Sequence, residues 1–464
     1  MDADRLQVLI CEEGTFGVTP TATKTAATIA AVASGNKLTD SGSGFVTAGF
    51  LKGMRVKVSG FTGEGTTANG IRTIVSVSDG EMVLRGGAAI VDDAAGESVT
   101  IAAGIMDEVR VTSESMAMET DTTVSSEIRD DRQKSDIIRT GRRASGDIAF
   151  EFSAEQFDEL LSAGLMDDLW SDAVSLTGAT IAAVASGNKL TDSGSGMDVF
   201  TAGEWIKISG FTGTVANNDY AKITSVAAGE IAIEGLTLVD DAAGESVTIY
   251  QLPSIVNGIT KRSFTIERES EDETNLFTRL LGMYISQLQM TISASEIITG
   301  TFSFMGKEEE TDTSTAAVDT VAASTNQVFS GVDHVVRILD NMTSTAITSL
   351  NFSINNNYRE QVVLGTLGPV SMGSGSVDVS GSITKYFEDT TQLARYIAFT
   401  ATSLAAILQD DDGNAYVIDM PNVKFTGNRH AAGGPDTYIM EEIDFQAVVD
   451  ATEQVTFRIA RYIP

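Results

Sequence analysis

The residues that could do chemistry are few and widely spaced. The chain has two histidines, His334 and His430, and neither has a histidine, cysteine or carboxylate at the spacing used by metal sites. Its one cysteine, Cys11, excludes an intrachain disulfide framework and a CxxC metal site, and is consistent with folding in a reducing cytoplasm. No serine lies in a GxSxG motif, the turn that exposes a catalytic nucleophile. The sequence therefore predicts no catalytic residue, no metal site and no cofactor.

Two short segments resemble ligand-binding loops but lack their spacing. GTFSFMGK (300–307) has five residues between its glycines where a phosphate-binding loop needs four, and Glu308 stands where a serine or threonine must bind magnesium. DDDGN (410–414) lacks the alternating acids of a calcium loop and its glutamate at position twelve. We expect a strand end at the first segment, and at the second a hairpin turn with positive φ at Gly413 and Asn414.

The charge balance argues against nucleic-acid binding through a basic patch. The 464 residues have a formal net charge of −33 at pH 7, which repels phosphate. Solubility alone is the simpler explanation of this charge, and a surface past which DNA slides is the alternative. The N-terminus is acidic where a signal peptide needs a basic region, and no run of 18 apolar residues is present. We therefore expect no membrane anchoring.

A duplicated module interrupts the chain twice. ATIAAVASGNKLTDSGSG at 27–44 recurs letter for letter at 179–196, and VDDAAGESVTI also occurs twice. Apolar and polar residues alternate within each copy, which is the period of a half-buried strand. The VDDAAGE segments favour solvated turns, with weak cation binding as the alternative. We predict two small inserted β-barrel or β-sandwich modules at loop positions, on the outer surface and dispensable for assembly. The predicted modules are residues 24–103 and 176–251.

The remaining residues repeat more faintly. SGDIAFEFSAEQFDELLSAGL (145–165) and SGSITKYFEDTTQLARYIAFT (380–400) each predict a strand, a polar cap and a helix with an apolar stripe. In the first copy, Ser153 and Gln156 have the spacing of a capping box. The predicted fold is all-β dominated, with two β-sandwich domains that each carry one helix. The first domain is discontinuous, at 1–23, 104–175 and 252–310, and the second is 311–464.

One stretch of the first domain differs from its surroundings in charge. Residues 114–144 have little apolar periodicity and carry both signs of charge, so we predict a long loop that is ordered only in an assembly. Its interleaved acids favour salt bridges to another protein surface over contacts with phosphate. The candidate inter-subunit contacts are Arg129, Arg132, Arg142, Arg143, Tyr358 and Arg359.

With the modules set aside, the remainder resembles the tail tube proteins of long-tailed, non-contractile phages. The matching segments follow the family's order and cover nearly all of the chain outside the modules. They are EEGTFGVTP, SSEIRDDRQKSD, SGDIAFEFSAEQFDELLSAGL, RSFTIERE, TGTFSFMGKE, NNNYREQVVLGTLGPV, SGSITKYFED, GNAYVIDMPNVKFTG and AAGGPDTYIMEEIDFQA. The two modules depart from the family's pattern and look like accessory β-domains that phage structural proteins carry on their outer faces.

The resemblance implies a structural virion protein that forms hollow rings, stacked into a tube that conducts DNA into the host. Six tube-type domains per ring, two from each chain, would make a homotrimeric, pseudo-hexameric ring, and a homohexamer is the second choice. The implied partners are further copies of the chain, the terminator, tail-tip and tape-measure proteins, and DNA passing without specificity through an acidic lumen. The implied location is the virion tail, after assembly in the host cytoplasm. The alternative is a carbohydrate- or cell-surface-binding adhesin built from tandem β-modules.

Overall fold

The chain folds mainly as β-strands, as the alternation of apolar and polar residues in the sequence predicts. The computed structural model describes residues 6–270, 276–332, 334–431 and 434–464. Strands such as Ser349–Asn355 bury every second side chain, which places one row in a core and the other toward solvent. The all-β-dominated fold class is confirmed.

The strands and helices fall into three consecutive parts of the chain. The N-terminal part contains β1 (Leu6–Glu12), β2 (Thr23–Ala26), β3 (Ile29–Val32), β4 (Lys37–Asp40), β5 (Arg55–Ser59), β6 (Gly70–Val77), β7 (Glu81–Arg85), β8 (Val99–Ala103), β9 (Ile105–Glu108), β10 (Ser113–Glu114), β11 (Ala117–Val124), β12 (Ile137–Glu151) and the helix α1 (Asp158–Gly164). The middle part contains β13 (Val174–Gly178), β14 (Ile181–Val184), β15 (Lys189–Asp192), β16 (Trp205–Ser209), β17 (Tyr220–Ala227), β18 (Glu230–Glu234), β19 (Val247–Gln251), β20 (Ser254–Val256), β21 (Phe264–Ser270), β22 (Phe277–Ser293), β23 (Thr299–Gly306), β24 (Glu308–Asp312) and β25 (Asp319–Val321). The C-terminal part contains β26 (Val335–Asp340), β27 (Thr343–Ser344), β28 (Ser349–Asn355), β29 (Arg359–Gln361), β30 (Ser371–Gly373), β31 (Asp378–Tyr386), the helix α2 (Thr391–Ala398), β32 (Thr402–Gln409), β33 (Ala415–Ala431), β34 (Met440–Ala447) and β35 (Arg458–Tyr462).

The two modules fold as separate seven-stranded sheets with equivalent strand orders. The first has the order β2-β8-β5-β6-β7-β4-β3 and the second has β13-β19-β16-β17-β18-β15-β14. Each sheet encloses its own buried apolar cluster, with Phe50 and Ile74 in the first and Phe211 and Ile223 in the second. Each module therefore has a core of its own.

Outside the modules, nineteen strands form one hydrogen-bonded network, which we call the main body. Eight of them lie side by side in the order β11-β12-β23-β22-β28-β31-β34-β33, and we call this row the long sheet. A second layer contains β1 paired with β21, and β26 paired with β32. The core contains Phe302, Leu350 and Phe445 of the long sheet. Strands β22 and β33, of 17 residues each, run through both layers because their first halves pair with β21 and β32.

The two halves of the main body repeat the same pairing in the same register. Strands β1, β21, β22, β23 and β12 are paired in that order, and β26, β32, β33, β34 and β31 match them one for one. A bulge interrupts β22–β23 between Ile285 and Gln287, and another interrupts β33–β34 between Phe425 and Gly427. A second bulge in each half lies between Phe264 and Ile266 and between Thr402 and Leu404. The two halves therefore match residue by residue as well as strand by strand, and Ile285 is the equivalent of Phe425.

The predicted capping box is wrong, and the predicted hairpin turn is confirmed with one difference. Helix α1 begins at Asp158 without a side-chain cap, because Gln156 instead donates to the Glu108 carbonyl at 2.8 Å. Residues 410–414 connect β32 to β33, and of the two expected positions only Gly413 has a positive φ, +87°. The Asp410 carboxylate orders this turn by accepting the Asn414 backbone N–H at 2.8 Å.

Residues 114–144 form mainly a hairpin rather than the predicted loop. β11 pairs with β12 from Ala117–Ser145 to Val124–Ile137, and the pairing of β12 with β23 ends at Ala144–Gly306. The hairpin beyond that point, residues 117–143, is largely exposed, and we call it arm 1. Its two exposed faces explain why no apolar alternation marks its strands. The second half has an equivalent excursion between β28 and β31, residues 356–377 with β29 and β30, which we call arm 2.

Candidate assembly surfaces

The outward face of the long sheet is polar. In its four central strands β22, β28, β31 and β34, the row that points away from the core includes Gln289, Asn351 and Ser382. The same row carries the carboxylates of Glu442 and Asp444, and Arg429 of the adjoining edge strand β33 lies 3.3 and 3.7 Å from them. Such a face binds water well, and its carboxylates pair with Arg429, which weakens the attraction of that cation for a phosphate group.

The long sheet has an unpaired edge at each end. Among the described residues, β11 pairs with β12 alone, and residues 424–431 of β33 pair with β34 alone. Exposed edges invite pairing with another chain unless they are protected. The β11 edge is covered by side chains, since Glu309 accepts the Met118 N–H at 3.0 Å and Arg268 donates to the Met116 carbonyl at 2.8 Å. These contacts occupy the edge at Met116 and Met118 in the single chain.

The strands that join the two halves of the main body are equivalent to the strands at these two free edges. β28 of the second half pairs antiparallel with β22 of the first, with Asn355 opposite Gln287. Within its own half, β28 places Ser353 opposite Ser380 of β31, just as β11 places Ala117 opposite Ser145 of β12. Strand β28 is therefore equivalent to β11, and β22 is equivalent to β33. One equivalent pair is joined inside the chain, and the other pair forms the two free edges.

The tip of arm 1 holds two of the predicted contact residues. Arg129 binds Asp131 through two hydrogen bonds of 2.9 and 2.7 Å, and hydrogen bonding to that carboxylate raises the pKa of Arg129. Arg132 is exposed and has a φ of +59°. Both side chains lie at the tip, on a surface from which they can reach another molecule.

The base of arm 1 holds two more predicted residues, and both have partners within the chain. Arg143 binds Glu119 at 2.7 Å and Asp121 at 3.3 Å across the hairpin. Arg142 binds Glu308 of β24. Both arginines therefore form ion pairs within their own chain. The charge pattern of the sequence did not indicate these internal pairs.

Arm 2 holds the last two predicted residues in different environments. Tyr358 is buried, stacks on Tyr284 with ring centroids 5.1 Å apart, and packs with Met166 and Met372. Burial raises the pKa of Tyr358. Arg359 lies on β29 and is exposed. The structure therefore places Tyr358 in the chain's own core and leaves Arg359 on the surface.

The first module contacts the main body through partly exposed ion pairs. Arg55 pairs with Asp107, and Lys57 pairs with Asp319 at 2.6 Å. The side chains of Lys57 and Asp319 remain 47% and 35% exposed, a range in which such pairs contribute little to stability. Further pairs join Lys52 to Asp168 and Arg85 to Asp172.

The second module contacts the main body through a shared apolar cluster. Trp205 and Tyr220 of this module pack with Leu339, Val417 and Ala460 of the main body, and all five are nearly inaccessible to solvent. By strand register, Trp205 occupies the place that Arg55 has in the first module. The same face of both modules therefore meets the main body, with different chemistry.

A buried ion network surrounds that cluster. Lys222 of the second module binds Asp419 at 2.9 Å and Glu453 at 2.6 Å, and the Lys222 and Asp419 side chains are 2% and 0% exposed. Arg458 also binds Asp419, at 3.1 Å, and donates to the Gly203 carbonyl of the module at 2.7 Å. Burial lowers the pKa of Lys222, but the two carboxylates outweigh it, so this pKa is raised overall. The second module is thus packed tightly against the main body.

The histidines and the single cysteine have structural partners. The His334 Nδ1 atom accepts the Ser330 N–H at 3.0 Å, and the His430 Nε2 atom lies 3.3 Å from Glu441. Burial, together with nearby carboxylates, raises the pKa of Cys11 well above its usual value. Across the described ranges, no group of three or more histidine, cysteine or carboxylate side chains is placed to hold a metal ion. No described helix is long and apolar enough to cross a membrane.

The VDDAAGE turns use their acids to hold backbone groups. Asp92 accepts the Ala33 N–H, and Asp240 accepts the Ala185 N–H, both at 2.7 Å. The glutamates at the turn ends, Glu97 and Glu245, each accept backbone and hydroxyl donors of a threonine. These contacts agree with the interpretation as structural turns.

A two-layered β-protein with an open-ended sheet, a polar outer face and repeated halves has the features of a self-assembling structural protein. The sequence matches the family described as phage tail tube protein over residues 3–447. The chain therefore belongs to the phage tail tube protein family, and its role is structural, as a component of a virion tail that assembles with itself and other tail proteins. No curated protein matches the chain.

Proposed function

We propose that this chain polymerises into stacked rings that form the DNA conduit of a long-tailed, non-contractile phage. The observation that carries the proposal is the joint between β22 and β28, because its equivalents β33 and β11 are the two free edges of the same sheet. A chain with complementary edges adds copies head to tail, and such an interface closes into a ring when the rotation permits. The long sheet then continues from chain to chain.

The internal joint predicts the register of the joint between chains. Asn428 of one chain would lie opposite Met118 of the next, Arg429 opposite Ala117, and His430 opposite Met116, by equivalence with the β22–β28 pairs. The side chains that cover Met116 and Met118 in the single chain would give way to backbone hydrogen bonds. Backbone pairing of this kind completes a barrel from separate subunits.

The repeated pairing favours three chains per ring. We propose two tube-type domains per chain, the first comprising 1–23, 104–175 and 252–310 and the second 311–464, with modules 24–103 and 176–251 inserted into the first. Six such domains then close a ring with true three-fold and approximate six-fold symmetry, and a homohexamer is the second choice. A cryo-EM symmetry determination distinguishes the two, because six identical chains per ring would contradict the two-domain division.

The outward polar face of the long sheet would line the lumen. Its hydroxyl, amide and carboxylate groups, as at Asn351, Ser382 and Asp444, would repel or ignore phosphate while remaining hydrated. DNA would therefore pass without binding. The terminator, tail-tip and tape-measure proteins would contact the tube's ends and interior, and rings would assemble in the host cytoplasm before incorporation into the virion tail.

Proline at either free edge is expected to abolish tubes while leaving the monomer folded. By equivalence with the β22–β28 hydrogen bonds, the N–H groups of Met118 and Asn428 point to the joint between chains, and proline removes an N–H without disturbing the opposite edge. Met118→Pro and Asn428→Pro would be compared with Met118→Leu and Asn428→Thr, which keep the N–H. Negative-stain electron microscopy and circular dichroism provide the readouts. Tubes of normal bore from both proline variants would contradict the proposed joint.

Charge reversal at the tip of arm 1 is also expected to block polymerisation. Arg129→Glu with Arg132→Glu would replace the exposed cations that we propose contact a neighbouring subunit or ring. The matched control is Lys37→Glu with Lys189→Glu, which makes the same charge change on the modules. Sedimentation measures assembly and circular dichroism measures folding. Polymerisation of the arm variant at the control's rate would show that the tip makes no such contact.

A further inference from the structure

The ends of the two equivalent helices differ in their exposure to solvent. Residues 162–166, at the end of α1, are all buried. The equivalent residues 397–401, at the end of α2, are all exposed, with Ile397 at 74% and Phe399 at 58%. The equivalence follows from the matching segments 145–165 and 380–400. Two large apolar side chains exposed within three residues at one helix end need an explanation.

Arm 2 covers the end of α1. The Asn356 side chain donates to the Gly164 carbonyl at 2.9 Å and to the Ile285 carbonyl at 3.0 Å. Tyr358 and Met372 of the same arm pack with Met166 just beyond the helix. Arm 2 belongs to the second half of the main body, so it crosses the joint between β22 and β28 to reach α1. The cover is therefore supplied by the neighbouring half.

A linker adds to this cover in the first half and has no equivalent in the second. The N–H groups of Gly258 and Thr260 donate to the carbonyls of Leu165 and Met166, at 2.9 and 2.8 Å. In the second half, α2 ends at Ala398 and β32 begins at Thr402, which leaves no room for such a segment. At the end of α2, the Lys424 ammonium lies 4.8 Å from the centroid of the Phe399 ring, and within the described part of the chain Ile397 and Phe399 remain 74% and 58% exposed.

We infer that arm 1 of a second copy of this chain covers the end of α2. Arm 1 is the equivalent of arm 2, and it follows the free edge β11 just as arm 2 follows the joined strand β28. Farther along, arm 1 exposes the apolar side chains Val124, Ile128, Ile137 and Ile138, as arm 2 exposes Val362 and Leu364. The inference rests on the proposed ring, because the two surfaces meet only when β11 of one copy pairs with β33 of the next.

The internal contact identifies which residues meet. Asn356 lies three residues after Ser353, and Thr120 lies three residues after Ala117, so these two positions correspond. Gly164 corresponds in the same way to Phe399. Thr120 of one chain therefore lies against Phe399 of its neighbour. Both residues are exposed in the single chain, so a cysteine at either position leaves the core unchanged.

Cross-linking in assembled tubes tests this contact. In the double variant Thr120→Cys with Phe399→Cys, a short bis-maleimide is expected to join chains into species of two and three on a denaturing gel. The native Cys11 is buried and serves as an internal blank, since the unsubstituted protein should stay monomeric on the gel. The matched control is Ala27→Cys with Phe399→Cys, in which the first cysteine lies on the exposed surface of the first module.

The outcomes separate this inference from the proposed function. Joined chains from the double variant, with few from the control and none from the unsubstituted protein, support the contact. Well-formed tubes in which the double variant joins no more chains than the control overturn the contact and leave the tube proposal intact. Failure of the unsubstituted protein to form rings or tubes by electron microscopy overturns the tube proposal and this inference with it.

Discussion

Deletion of the second module, residues 176–251, is expected to leave the main body insoluble, whereas deletion of the first, residues 24–103, is expected to leave it folded. Removing the second module exposes the apolar residues Leu339, Val417 and Ala460, which it now covers. It also removes Lys222 from the fully buried Asp419. A large exposed apolar patch beside an underpaired buried charge favours aggregation.

The first module provides the matched control, since it has the same fold and a similar length. Its ion pairs with the main body, such as Lys57 with Asp319, are partly exposed, and their loss leaves carboxylates that water can solvate. Soluble yield and size-exclusion profiles of the two deletions would be compared. Equal solubility of both would support the expectation from the sequence that the two modules are dispensable insertions.

Substitution of Lys222 by methionine is expected to lower the free energy of unfolding by about 3–5 kcal/mol, the usual cost of breaking a buried ion pair by removing one partner. Lys222 is the cation that the second module contributes directly to Asp419 and Glu453. Chemical denaturation of the unassembled protein, followed by tryptophan fluorescence, reports on this region because Trp205 lies in the adjoining cluster.

The control for this substitution is Lys189→Met in the same module. Lys189 pairs with Glu230 at 2.6 Å with side chains 32% and 50% exposed, so its loss should change stability by about 1 kcal/mol or less. The pH dependence has a defined sign. Because the folded-state pKa of Lys222 is raised, its contribution is complete below the unfolded-state pKa of about 10.4 and is lost only as the pH rises through the folded value. A difference between wild type and Lys222→Met that disappears below pH 8 would contradict the assignment.

The strands could be predicted from the sequence because a strand with one buried face needs an apolar residue at every second position. Strand β23, predicted as a strand end despite its resemblance to a phosphate loop, alternates exposed or partly exposed residues with buried ones from Thr299 to Gly306. The apolar stripe of α1 is buried at Leu160 and Leu161. Arm 1 was missed as a hairpin because both its faces are exposed, so neither selects apolar residues.

Contacts that depend on distant segments could not be predicted from local patterns. Gln156 has the spacing of a capping residue, but the carbonyl of Glu108, 48 positions earlier, binds its side chain instead. Tyr358 was a candidate inter-subunit contact, yet it stacks on Tyr284 of the other half. The difference between Trp205 and Arg55 at equivalent positions was a usable signal: a tryptophan where the other copy has a charge marks a buried face.

Because β22 and β28 pair within one chain, the proposed ring would lose less translational and rotational entropy on assembly. Bringing a free subunit into a complex costs about 4–15 kcal/mol in translational and rotational freedom. A ring of six sandwiches made from separate chains pays this cost for five additions, whereas a ring of three double chains pays it for two. In the proposed three-chain ring, the six joints between sandwiches would be of two kinds, three formed within chains during folding and three formed between chains during association. Nucleation of the tube would depend on the third power of concentration rather than the sixth, so rings could form from a scarce pool of protein.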